Sequence, residues 1–83
     1  MFYVNFRERV LQEATFTDHF IERCKERNID MEQINPTILK GTCRVKMGGV
    51  YQFIKDGICI VVNPVELVYI TAYAVNKRNG VMK

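Results

Sequence analysis

At 83 residues, with 48% hydrophobic and 25% charged positions, the chain has room for one core and no second, and its composition is that of a globular domain instead of a disordered one. No run approaches the roughly 20 apolar residues that cross a bilayer, and Met1, Phe2, Tyr3, Val4, Asn5 lack a basic stretch ahead of an apolar one, so neither a transmembrane helix nor a signal peptide is expected. The net charge of +3 is too small to announce nucleic-acid binding alone, while Cys24, Cys43 and Cys59, odd in number and widely spaced, argue against a disulfide framework or a zinc site and fit a reducing cytoplasm.

Phe2, Phe6, Val10 and Ala14 recur every fourth residue with Arg7, Glu8, Arg9, Gln12 and Glu13 between them, which predicts a first helix; the alternative for residues 2–5 is a short strand. Thr17 offers an N-cap oxygen and Asp18 a first-turn carboxylate to a second helix reaching Arg27. Its apolar stripe is Phe20, Ile21 and Cys24, and Asn28 suits a left-handed exit from which Ile29 packs back. Asp30 and Gln33 resemble a capping box for a short helix that Pro36 must kink, end or restart, with Ile38 and Leu39 on its apolar side and Gly41 as its stop.

After Gly41 the apolar period changes from about four to two. Gly48–Gly49 and Asp56–Gly57 predict two tight hairpin turns, and Asn63 and Pro64 a third. If the first two are two-residue turns, Met47 pairs with Val50 and Lys55 with Ile58. One face then holds Cys43, Val45, Met47, Val50, Gln52, Ile54, Cys59 and Val61, the expected seat of the helices. The other holds Arg44, Lys46, Tyr51, Phe53, Lys55, Ile58, Ile60 and Val62, as a binding surface or under another element. Residues 66–75 predict the last strand, with Tyr69, Thr71 and Tyr73 on one side and Val68, Ile70, Ala72 and Ala74 on the other. The expected architecture is α+β: two or three N-terminal helices on one face of a four-stranded antiparallel meander, in a single domain over 1–75 with a basic C-terminal tail over 76–83.

His19 lies one helical turn before Arg23 and two before Arg27, which places an imidazole beside two cations on one side of the second helix and would lower its pKa. Cleaving RNA through its 2′-hydroxyl needs a base, cations for the phosphorane and an acid for the leaving oxygen. His19, Arg23 or Arg27, and Tyr51, Tyr69 or Tyr73 have those chemistries. The same residues also suit a solvated helix face, where Asp18, Glu22 and Glu26 neutralise the cations. Arg44, Lys46 and Lys55 suit phosphate contacts or charges that protect a sheet edge, Tyr51 base stacking or cross-strand packing, and Thr71 phosphate orientation or simple strand propensity. No metal or nucleotide motif is present, so no metal or cofactor is expected.

Thr17, His19, Glu22, Arg23, Lys25, Glu26, Arg27, Asn28 and Ile29, followed by Tyr51, Gln52, Phe53, the run Ile58 to Val62, and Tyr69, Ile70, Thr71, Ala72, Tyr73, resemble the small uncharacterised domains related to the BrnT and RelE toxins. The likeness spans about residues 15 to 75, with Asn28 standing where that family has a glycine. It implies the fold shared with colicin and contact-dependent toxin nucleases, and metal-independent RNA cleavage. His19 would be the base, Arg23 and Arg27 phosphate ligands, and Thr71 or Tyr73 a positioning partner. RNA is the implied partner, together with an antitoxin. The strongly basic balance of many such toxins is missing, which keeps a second reading open: a non-catalytic, protein-binding module, such as a phage or mobile-element inhibitor of a host protein, or a homodimer, using the Tyr51, Phe53, Ile58, Ile60 and Val62 face.

Overall fold

The structure is a computed structural model that describes residues 5–75. The expected basic tail over 76–83 and residues 2–4 of the helix-or-strand alternative at 2–5 lie outside the described residues. The elements are α1 (Phe6–Glu13), β1 (Thr15–Phe16), α2 (Asp18–Glu26), a 3-10 turn (Met31–Gln33) running into α3 (Ile34–Lys40), β2 (Thr42–Val45), β3 (Tyr51–Lys55), β4 (Ile58–Asn63) and β5 (Val68–Ala74). No described helix is long and apolar enough to cross a membrane.

The helical half follows its capping residues. Asn5 accepts from the Arg7 N–H at 2.7 Å to start α1, and Thr17 Oγ1 accepts from the Phe20 N–H at 3.0 Å to start α2. α2 ends as its sequence suggests: Asn28 turns left-handed at φ 57°, and the Ile29 N–H returns to the Cys24 carbonyl at 2.9 Å while Ile29 is buried. Asp30 caps the 3-10 turn, and Pro36 sits in the first turn of α3, where its missing N–H costs no helical bond. Gly41 ends α3 for lack of room, since a Cβ there would lie 2.5 Å from the Thr37 carbonyl oxygen and 2.8 Å from that of Ile54.

The sheet has five strands in the order β1-β5-β4-β3-β2 and is mixed, which corrects the four-stranded antiparallel meander. β2 to β5 pair antiparallel in sequence, while β1 pairs parallel with β5, Thr15 opposite Val68 and Phe16 opposite Tyr69. Two residues carry no readable period, so this strand is invisible before the fold exists.

Two register details reassign the faces. The Asp56–Gly57 hairpin pairs Lys55 with Ile58 as a two-residue turn does, with both turn residues at positive φ. The Gly48–Gly49 hairpin is one residue longer: the Lys46 N–H donates to the Val50 carbonyl at 2.8 Å and Val45 pairs with Tyr51. A one-residue slip turns every side chain of a strand over, so Cys43 and Val45 stand with Tyr51 and Phe53, and Arg44 with Gln52. A bulge in β5 opposite Val61 and Val62 does the same to Tyr69, which leaves the side of Thr71 and Tyr73 for that of Ala72.

The helices seat on the face opposite to the expected one. Val10, Phe20, Cys24, Ile34 and Ile38 pack against Phe53, Ile58, Ile60, Val62, Tyr69 and Ala72. Phe53, Ile60 and Val62 are fully buried, so the Tyr51, Phe53, Ile58, Ile60 and Val62 face is core and no partner can dock on it. Aromatic rings close one end: Phe16 stacks on Phe20 at 5.5 Å, and both lie against Tyr69 at 4.7 and 5.2 Å.

Candidate nucleic-acid interface

With the helices on one side, the other side of the sheet carries two rows across the strands. Arg44, Gln52, Val61 and Thr71 form one, and Thr42, Ile54, Cys59 and Tyr73 the next. Lys46, opposite Val50, continues the Arg44 side just past β2. No aspartate or glutamate lies in any strand; the acids occupy helices, caps and turns. Arg44 and Lys46 are exposed and form no ion pair among the described residues, whose salt bridges are Arg9–Glu13, Arg23–Glu26 and Lys55–Asp56.

The middle of this face is held by side chains. Gln52 Nε2 donates to the Tyr73 hydroxyl at 3.0 Å, spanning from β3 to β5 above β4. Cys59 lies between them, 1% exposed; burial pushes its thiol pKa up, against the smaller opposing pulls of the Tyr73 hydroxyl and of Arg44 and Lys46. The Tyr73 pKa is raised too, chiefly through its hydrogen bond with Cys59. Both groups are therefore neutral near pH 7, and the positive charges of Arg44 and Lys46 meet no anion on the sheet.

The residues of α2 sit differently from one another. Arg27, at the C-terminus of α2, reaches β5 beyond the stretch that β1 covers: its Nη1 donates to the Ala72 carbonyl at 2.8 Å and to Thr71 Oγ1 at 3.3 Å. Arg23 pairs with Glu26 at 3.1 Å. The His19 side chain is exposed and makes no hydrogen bond or ion pair among the described residues. The structure thus joins Arg27 to Thr71 and Tyr73 to Gln52, and leaves His19 outside both groups. Tyr51 and Lys55 stand on the helix side, Tyr51 against Phe6 with ring centroids 5.5 Å apart and Lys55 bound to Asp56 at 2.6 Å, away from Arg44 and Lys46. Hollows among the described residues lie by Asp30, Pro36 and Lys55, by Asp18, Glu22 and Lys25, and by Phe6, Tyr51 and Leu67; His19, Arg23 and Arg27 line none of these.

Gln52 was the legible signal that sequence reasoning passed over. It is the lone polar group in a row expected to lie under helices, and a buried amide needs partners that an apolar helix face lacks. Comparison with known protein families, with curated proteins and with solved structures finds no match to this chain.

Proposed function

We propose that the chain is an RNA-directed domain of the ribonuclease-toxin type whose helix-free sheet face takes the phosphate backbone of a single strand. The observation that carries this reading is the sorting of charge: cations at Arg44 and Lys46 without carboxylate partners, on a sheet that holds no acid in any strand. Tyr73, tethered by Gln52, offers an aromatic group on the same face, across the sheet from the two cations, as single-strand binding surfaces do. The resemblance to BrnT- and RelE-related domains supplies the finer roles. These fall at the β5 edge, where the RNA would turn from that face towards α2: His19 would act as base on the 2′-hydroxyl, Arg27 and, on leaving Glu26, Arg23 would hold the phosphate, and Thr71, already bonded to Arg27, would position that guanidinium with Tyr73 nearby on the strand. The 2′-oxygen, its proton passed to His19, then bonds phosphorus as the bond from phosphorus to the 5′-oxygen breaks and that oxygen takes a proton from solvent, giving a 2′,3′-cyclic phosphate and a 5′-hydroxyl end.

The test is incubation of the purified chain with total RNA in the presence of a chelator. Cyclic-phosphate ends should appear with the wild type and vanish with His19→Ala at unchanged melting temperature. Binding without cleavage would remove the roles of His19, Arg23 and Arg27 while keeping the face; neither binding nor cleavage would end the reading.

A further inference from the structure

The outer side of β2 is a free sheet edge of defined chemistry. The strand is last in the sheet order, so among the described residues no strand pairs beyond it. The Lys46 N–H donates inward to Val50, and hydrogen-bonded pairs alternate with non-bonded ones along an antiparallel ladder. Arg44 and Thr42 therefore also bond to β3, and Cys43 and Val45 direct their N–H and C=O groups outward. The side chains alternate in step: Cys43 and Val45 on the helix side, with Val45 68% exposed, and Arg44 and Lys46 on the helix-free side without ion pairs among the described residues.

The geometry points to β2 as a docking edge for an extended segment of another protein in which apolar and acidic residues alternate. Such a segment adds a sixth strand through the backbone groups of Cys43 and Val45. It lays its apolar residues beside Val45 and its carboxylates beside Arg44 and Lys46. Charge selects this occupant over a second copy of the chain, because pairing β2 with β2 sets Arg44 and Lys46 of both copies on one face, where like charges destabilise the pair. This inference does not depend on RNA binding: it rests on the strand's backbone and its two cations.

The probe is a blocked nine-residue peptide of alternating valine and glutamate, compared with the same peptide carrying lysine for glutamate. The glutamate peptide should bind at least tenfold tighter and protect the Cys43 and Val45 amides from hydrogen exchange. Val45→Pro, which removes only an outward N–H, should abolish binding, and the double variant Arg44→Glu, Lys46→Glu should reverse the preference between the peptides. Equal binding of the two peptides, protection confined to other residues, binding that Val45→Pro leaves intact, or a dimer of the free chain that Val45→Pro dissociates would each overturn the proposal.

Discussion

At the scale of single residues, the least legible side chain is Arg7. In the run Phe6, Arg7, Glu8, Arg9 it reads as one more solvated helix charge. In the fold its Nη1 donates to the carbonyls of Ile38, Leu39 and Gly41 at 3.0, 3.2 and 2.7 Å, and its guanidinium lies 5.6 Å from the Phe53 ring centroid. A cation thereby caps the negative end of α3 and ties α1 to it. Hydrogen bonds to charged groups are worth about 1.5–3 kcal/mol each, so Arg7→Ala should lower the unfolding free energy by about 2–4 kcal/mol in urea denaturation. A change below about 0.5 kcal/mol, the range of an ordinary surface site, would contradict that role. Tyr69 gives a second test. It is 2% exposed, its hydroxyl has no hydrogen-bond partner among the described residues, and burial pushes its pKa from 10.0 up to about 12. The unfolded chain ionises first, so stability is intact below pH 10 and falls as pH rises towards 12, by about 2–3 kcal/mol from this one group. Tyr69→Phe should flatten the stability profile over that window, and an alkaline loss equal to that of the wild type would exclude Tyr69 as its source.

At the scale of elements, sequence reasoning succeeded where local chemistry decides and failed where one residue of loop length decides. Thr17, Asn28 and Asp30 fixed helix ends because a cap is a bond between near neighbours. The Gly48–Gly49 hairpin could close around two residues or three, and the longer closure exchanged the two faces of β2. The β5 bulge moved Tyr69 in the same way, and Leu67, at φ 56° in the preceding turn, has a backbone angle that its residue type does not announce. The two kinds of glycine can be separated by mutation. Gly41→Ala places a methyl group against two backbone oxygens, where relief requires α3 to move off β3, and should cost about 1–3 kcal/mol with loss of helix packing. Gly48→Ala meets no atom within 4 Å and suffers only its positive φ of 87°, so its cost should stay near 1–2 kcal/mol and leave the near-UV spectrum unchanged. Equal spectral changes in the two variants would mean that Gly41 is not a packing contact.

At the scale of the whole molecule, the helices and the sheet divide the charge between them. The acids lie in helices, caps and turns, and the helix-free face of the sheet offers Arg44 and Lys46 with Tyr73 and Gln52. The cations were readable in the sequence; the side they share was not, because it depends on a hairpin register set by the three-dimensional turn. The proposed binding of RNA to this face is tested most directly by the fluorescence anisotropy of a labelled single-stranded RNA over a salt series, with the wild type and the double variant Arg44→Glu, Lys46→Glu. The prediction is a loss of affinity of at least tenfold at low salt, with the slope of log affinity against log salt falling by roughly 0.7 per phosphate contact removed. Equal affinity and equal slope for the two proteins would contradict it.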